Sequence, residues 1–435
     1  MRQGARAAGA AIGGLLATMT AAAAAEPAKL DSGSTAWLLT ATALVLFMTL
    51  PGLALFYGGL VRARNALSVL LHCVAISAVV SVLWLILGYS LAFSDGGATQ
   101  AWLGGWSRSF LAGVGPDTLK GEVPELVFFM FQMTFAIITP ALIVGAYPER
   151  IRFGAMALFS ALWLLLVYVP VCHWVWGDGW LGKLGVMDFA GGIVVHITAG
   201  VSALVLAALI GPRQGFPAAP PLPHSPGLTM AGGAMLWVGW FGFNAGSALS
   251  AGGGAGLAMT TTHVSAAAGA LAWMALEWVS LRRVSLVGTV TGIIAGLATV
   301  TPAAGYVAPA AALLFGIAGA AVGFFATQLV KQRLKIDDSL DVFAVHGLGG
   351  ATGTLLCGVF AAKSLGGQGF AAAESVGAQL WLQFVGVAVG VVWSAVATFV
   401  IYRVVAAVVP ARVGAEDESE GLDVTQHGER AYDLR

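Results

Sequence analysis

Charge is what this sequence has least of. Only 10% of its 435 residues are Asp, Glu, Lys or Arg, against about 25% in a soluble domain. A water-exposed surface for a chain this long cannot be built from so few charges, so a soluble globular fold is excluded. The 21 basic and 21 acidic residues cancel, which leaves no basic footprint for nucleic acid. Cysteine is also scarce. Cys73, Cys172 and Cys357 lie far apart in or beside apolar runs, a spacing that fits neither a disulfide framework nor a zinc site. What is present is apolar surface, at 58% hydrophobic residues, and 59 glycines, a residue that lets helices approach closely inside a bilayer.

Residues 1–25 have the form of a removable leader. Arg2 and Arg6 give a basic start, a short apolar run follows, and the alanines from Ala21 to Ala25 offer small-residue cleavage sites before Glu26, as in a secretory signal peptide. The rest of the chain reads as apolar runs long enough to cross a bilayer core of about 30 Å. They fall near 35–60, 66–93, 124–147, 151–174, 190–211, 228–248, 257–281, 285–301, 308–330, 341–361 and 376–408. The reading is an all-α polytopic membrane protein of eleven helices, spanning 26–408. A polar tail, 409–435, follows.

With the N-terminus outside, the odd count puts the tail inside. The inner segments then hold Arg62, Arg64, Arg150, Arg152, Arg213, Arg282, Arg283, Lys331, Arg333, Lys335, Arg403, Arg412, Arg430 and Arg435. The outer ones hold only Lys29, Arg108, Lys120, Lys183 and Lys363. That is the charge bias of a cytoplasmic face. A Pro-rich stretch, Pro212 to Gly227, separates two five-helix halves, about 35–211 and 228–361, and leaves 376–408 as a final helix. Five is odd, so the halves run in opposite directions, the plan of an inverted repeat with a site near the midplane. No convincing identity between the halves is visible.

Ionisable groups inside a membrane are costly and mark function. His196 lies eight residues after Asp188, and His346 eight after Asp338. Eight helical residues rise about 12 Å, so both histidines are expected at the midplane, approached from opposite faces. Gly191, Gly192, Gly347, Gly349 and Gly350 allow close crossing there. His72 and His263 have no such match and read as structural. His173 falls at a helix end where water would satisfy it, and His224 and His427 fall on inner segments. Asp338 and Asp341 read as caps of the tenth helix that meet Lys331, Arg333 or Lys335.

The run DFAGGIVVHITAGVSALVLAALIGPR (188–213) closely resembles the signature of ammonium transporters. The likeness extends through FQMTF (131–135), GAYPERIRF (145–153), HWVWG (173–177), GWFGFNAGS (239–247), DDSLDVFAVHG (337–347) and GLDVTQHGERAYD (421–433). This resemblance implies pseudo-twofold halves and a homotrimer with one pore per subunit. It implies that Phe131, Trp176 and Ser247 form an outer recruitment site for ammonium or methylammonium, supported by Asp188 without direct contact. Phe135 and Phe243 would stack as a gate below it, and His196 and His346 would line the pore. The tail, with Gly421, Leu422, Asp423, His427 and Tyr432, would dock a PII signal protein.

The expectation is a transporter of a bacterial inner membrane, not an enzyme, embedded in lipid and without cofactor or metal. Three other readings compete. The chain could report ammonium through its tail as a sensor, the facing histidines could ligate haem in a membrane redox protein, or the bundle could be a gas or urea channel.

Overall fold

The computed structural model describes residues 29–219 and 221–432. The leader expected at 1–25 lies outside the described residues. Long helices dominate: α1 (Ser32–Leu60), α2 (Ala63–Phe93), α3 (Glu125–Ala146), α4 (Phe153–Leu184, broken after Trp176) and α5 (Gly192–Ile210). A further helix, α6 (226–245), joins Pro226–Trp240 to the wide turn Phe241–Ala245. Then come α7 (Gly253–Leu281), α8 (Leu286–Ala303), α9 (Pro309–Arg333), α10 (Phe343–Phe360) and α11 (Val376–Val408). All but α6 are apolar and long enough to cross a membrane. α6 is diluted by glycines, tryptophans and Asn244, yet it occupies the sixth place and packs on α1 and α8. The eleven expected helices are therefore all present.

Local chemistry sets the helix ends. Asp31 accepts the Ser34 amide at 2.6 Å to start α1. Ser225, Ser285 and Ser375 cap α6, α8 and α11 in the same way, each satisfying an otherwise orphaned donor. At one end of the bundle a small hairpin, β1 (Leu119–Lys120) with β2 (Val123–Pro124), closes the loop before α3.

The two halves meet where α5 crosses α10. A Cβ on Gly350 would fall 2.8 Å from the His196 Cβ and 2.6 Å from the Gly192 carbonyl. A Cβ on Gly200 would collide with the Gly347 backbone, just after His346. Each glycine stands four residues beyond its own half's histidine and packs on the other half's histidine, so the contact repeats with the two helices exchanged. That is a pseudo-twofold axis written in residues, and only glycine permits the approach.

The assumption of eight helical residues before each histidine does not hold. Residues 188–191 are irregular, with Gly191 at φ +115°, and Asp341 stands at φ +63°. Each histidine instead lies in a wide π-type first turn, Gly192–Ile197 or Phe343–Gly347. Side-chain carboxylates hold these lead-in segments, which is how irregular backbone persists inside a membrane protein.

At the opposite end from the hairpin, a belt of buried ion pairs ties the halves together. Glu149 takes Arg62 at 3.0 Å and Arg213 at 3.5 Å, and Asp337 takes Arg213 at 2.9 Å. Burial alone would raise the Asp337 carboxyl, but the hydrogen bonds and charge of Arg213, with Arg150 behind, hold it below its ordinary value. A depressed carboxylate contributes stability at neutral pH that disappears only as pH falls through the lowered pKa. Arg150 spends its whole guanidinium on Ala146, Pro148, Gly211 and Asp337 carbonyls and on Ser339 Oγ.

The tail packs onto this same end as two short helices, α12 (Ala415–Glu420) and α13 (Leu422–His427). Arg152 N–H donates to the Ala411 carbonyl and Val413 N–H to the Arg150 carbonyl.

Candidate functional site

A chain of three cavities runs between the two ends of the bundle. The far-side cavity, at the end away from the tail, is lined by Phe93, Phe128, Gln132, Phe135, Val175, Trp176, Phe189, Ser247 and Leu249. The Phe135 and Phe243 rings close its floor, stacked at 4.2 Å and 25°. Phe243 then borders a second space with His196, His346 and the apolar side chains of Met48, Leu53, Phe56, Ile138, Leu142, Val195, Leu236, Trp240 and Ile294. Its free volume, about 10 Å³, is near the ~10–15 Å³ that one water needs, so this is a single-file lumen. His346 also borders a third cavity of about 170 Å³ on the tail side, with Tyr57, Arg213, Lys331 and Asp341. The stacked phenyl rings and the histidine pair therefore stand in series.

The site residues come together as follows. Trp176 ends the straight part of α4, and its indole N–H donates to the Asp188 carbonyl at 2.8 Å. Its ring meets Phe135 edge-on at 5.8 Å. Ser247 donates to the Phe243 carbonyl at 2.9 Å, which leaves its oxygen lone pairs free. Phe131 is fully buried. It packs edge-on against Phe135 at 5.0 Å and faces Gly246, where a Cβ would touch its ring. It thus stands behind the cavity's aromatic wall and is absent from the lining.

Asp188 is buried, and its carboxylate accepts four backbone N–H groups in a row. Oδ1 takes Gly191 and Gly192 at 2.8 and 2.6 Å, and Oδ2 takes Ile193 and Val194 at 2.7 and 3.1 Å. It closes the N-terminus of α5 and has no lone pair left over for a ligand. Asp338 does the matching task in the other half, accepting Phe343 N–H at 2.8 Å, while Lys331 pairs with Asp341 at 2.8 Å.

His196 and His346 share a hydrogen bond between their Nδ1 atoms at 3.3 Å, with ring centroids 5.2 Å apart. One Nδ1 must donate and the other accept, so the two Nε2 atoms are opposite in kind, one a donor and one an acceptor. Among the described residues, buried His196 Nε2 has no hydrogen-bond partner. A porphyrin needs its two axial imidazoles on opposite sides of the iron. A pair bonded directly to each other leaves no such gap, so the haem reading does not fit.

At the tail, Gly421 takes φ +112° with its Cα against Arg64, a conformation and an approach open to glycine alone. Leu422 is buried and its N–H donates to Asn65 Oδ1 at 2.8 Å. Asp423 caps α2 by accepting Leu67 and Ser68 N–H at 3.1 and 2.7 Å. The His427 ring lies 5.5 Å from Phe153 and 6.3 Å from His72. Tyr432 Oη meets His224 Nε2 at 3.0 Å.

Sequence reading missed several groups. Glu418 lies in the polar tail and was not singled out, yet it is buried and takes Arg412 at 2.8 Å and Gln214 N–H at 2.7 Å. His173 is not satisfied by water. The end of α2 offers the Ala92 carbonyl at 2.8 Å, and the loop after it offers the Gln100 carbonyl at 2.7 Å. Trp240, stacked 5.5 Å from His196, was not singled out; its place one turn before Phe243 was the available signal.

A polytopic bundle with a narrow conduit along its axis defines a membrane channel or transporter. The model of the Ammonium Transporter Family matches residues 36–432. An ammonium transporter of Bacillus subtilis (strain 168) is 46% identical over 406 residues, covering 93% of this chain and 99% of that protein. One from Aquifex aeolicus is 44% identical, covering 97% and 99%. The crystal structure of Saccharomyces cerevisiae Mep2 superposes with a TM-score of 0.81 at 35% identity, covering 89% of this chain and 91% of that one. A structure titled Sensor Amt Protein gives 0.83 at 30% identity, covering 91% and 98%. The chain belongs to the ammonium transporter family.

Proposed function

We propose that this protein takes ammonium from outside the cell at the far-side cavity, removes its proton there, and passes ammonia along the histidine pair to the cytoplasm. The observation that carries this reading is the series of aromatic cavity, stacked phenyl floor, single-file apolar lumen and paired imidazoles. A π face attracts a cation by about 0.5–2 kcal/mol, tryptophan most strongly, and the free lone pairs of Ser247 replace part of the hydration shell. Taking an intact ion into the lumen is far more costly. The idealised Born penalty is on the order of 20 kcal/mol. Deprotonating an amine of pKa near 10.4 at neutral pH costs roughly 4–5 kcal/mol. Neutral ammonia is therefore the species this lumen suits, and the donor and acceptor Nε2 atoms offer it a path for a hydrogen bond or a relayed proton.

The test is the current evoked by an ammonium jump on reconstituted proteoliposomes. A current with ammonium and methylammonium, absent with sodium or potassium, supports the proposal. No current together with no ammonia-driven change of internal pH refutes it.

Opening the phenyl floor should damage discrimination before it damages flux. Phe243→Ala joins the far-side cavity to the lumen. The ratio of ammonium to potassium flux is expected to fall at least tenfold in liposomes normalised to folded protein. Normalisation matters, because Phe→Ala in a packed interior costs about 3–5 kcal/mol. An unchanged ratio would mean that the rings are only packing.

The tail is proposed as the docking and control segment for a PII signal protein. Its support is a tail that folds onto three cytoplasmic loops at once. Asp423→Ala orphans the Leu67 and Ser68 amides, a loss of about 1–3 kcal/mol. It is expected to make residues 409–432 protease-sensitive while the helices stay intact. Deleting 421–435 should abolish capture of a PII protein in a pull-down, and retained capture contradicts the docking role. A sensor reading has its own support in the likeness to the structure titled Sensor Amt Protein. It predicts ammonium-dependent PII capture with no flux. The excess of Arg and Lys in the tail-side segments supports an inner-membrane placement with that end cytoplasmic. A trimer is expected from the family resemblance, and the native mass of the purified protein in detergent tests it.

A further inference from the structure

We propose that Gln132 is a further ligand of the cation in the far-side cavity, supplying an amide oxygen that favours ammonium over ions without N–H donors. The proposal rests on reading that cavity as an ammonium site. Gln132 follows Phe131 on α3 and precedes the floor residue Phe135 by three positions, so it lies on the same face of the helix as that ring. It lines the cavity together with Phe135, Trp176 and Ser247. Only 8% of it is exposed, and its Oε1 is buried with no hydrogen-bond partner among the described residues. Native proteins seldom leave a buried amide oxygen unpaired, because its desolvation goes uncompensated. Beside a cavity, such an atom calls for a donor that arrives with the ligand.

The neighbouring polar groups are already committed. The Trp176 N–H is spent on the Asp188 carbonyl. The Asp188 carboxylate is filled by four backbone amides. Ser247 spends its proton on the Phe243 carbonyl, so its oxygen is an acceptor. Ammonium carries four tetrahedral N–H donors. Ser247 Oγ takes one, and the faces of Phe135 and Trp176 serve others only diffusely. Gln132 Oε1 gives a second directional acceptor. Because no protein bond restrains that oxygen, turning the amide toward the ion breaks nothing. An amide oxygen is neutral, so it can strip water from the ion without binding it as tightly as a carboxylate would. Potassium has no N–H donor, and although an amide dipole also attracts it, one oxygen replaces little of its larger, non-directional shell.

The experiment compares wild type with Gln132→Leu, Gln132→Met and Gln132→Glu in proteoliposomes, reading half-saturation for ammonium and half-inhibition by potassium. A hydrogen bond to a charged group is worth enough for about a tenfold effect or more. The Leu and Met variants are expected to raise half-saturation about tenfold, with maximal current per folded protein little changed, and to narrow the gap to potassium. Glu keeps the oxygen and is expected at or below the wild-type value. Two apolar variants guard against one that misfolds. Half-saturation within twofold of wild type in both overturns the proposal.

A second readout separates this failure from failure of the transport reading. The ammonium-dependent rise in melting temperature in detergent reports occupancy without flux. A wild-type protein with no current but a clear shift that Gln132→Leu abolishes sinks transport and keeps the ligand. A wild type with neither current nor shift sinks both.

Discussion

Replacing either His196 or His346 with alanine is expected to reduce ammonium-evoked flux by about two orders of magnitude, and replacing both should cost little more than replacing one. The lumen explains the size of the effect. Around the pair stand Met48, Leu53, Phe56, Ile138, Leu142, Val195, Leu236, Trp240, Phe243 and Ile294, and the indole N–H of Trp240 is already given to Thr301 at 2.9 Å. Among the described residues of that lining, only the imidazoles have a strong hydrogen-bonding atom still to offer. An ammonia molecule without them must shed its water and receive nothing in return, a loss of about 1–3 kcal/mol per missing bond. The near-identity of single and double variants follows from the Nδ1–Nδ1 bond at 3.3 Å. Removing one ring frees the other from its fixed tautomer, so the pair acts as a unit and the effects do not add. A carboxylate in place of His196 should act in the opposite direction and admit a charged ion, read as a potassium current absent from the wild type. Wild-type flux in the alanine variants, with wild-type selectivity in the carboxylate variant, would remove the histidines from the pathway.

The helix plan was legible because lipid makes it so. An apolar run has to span the core with its backbone bonded internally, so runs such as 376–408 give their own limits, and α11 is found at Val376–Val408. The matched placement of the two histidines was legible for a different reason than the one first supposed. Equal spacing from Asp188 and Asp338 does reflect matched halves, but the intervening residues are not helical. What the spacing records is a repeated device: a carboxylate, an irregular lead-in and a wide turn that carries the imidazole. Periodicity does not reveal such a turn, since Gly191 with positive φ looks in sequence like any glycine used for packing. The stacked phenyl pair was legible only through resemblance, because two phenylalanines among 22 carry no distinguishing pattern. Their stacking depends on α3 and α6 meeting in space. The tail-side belt was hidden likewise. Glu149, Arg150, Arg213, Asp337 and Glu418 are scattered over loops that read as ordinary polar connections, and only the folded chain shows that they bury one another. Gln132 was passed over because a single amide in an apolar helix has an ordinary reading. Its unpaired oxygen is a property of the surroundings.

Asp188→Asn is expected both to lower the melting temperature clearly and to abolish high-affinity use of ammonium, although Asp188 touches no ligand. The wild-type carboxylate takes four N–H donors, two on each oxygen. Asparagine keeps one oxygen and turns an NH₂ group toward the other two donors. Two buried amides then lose their acceptor and face a donor instead. At about 1–3 kcal/mol for each orphaned group, the cost is roughly 2–6 kcal/mol, a large part of a membrane domain's margin. The functional effect has two routes. The residue's own carbonyl fixes the Trp176 indole at 2.8 Å, so a loosened lead-in lets the aromatic wall drift. The lost negative charge also removes a field that favours a cation in the cavity above, and low-dielectric surroundings screen that field little. Asp188→Glu separates the two routes, since it keeps the charge but misplaces the acceptors. If charge dominates, Glu should retain ammonium-evoked current at reduced thermal stability while Asn does not. If geometry dominates, both should fail together. An Asn variant that is destabilised and yet saturates at the wild-type ammonium concentration would show that the carboxylate is a helix cap and nothing more.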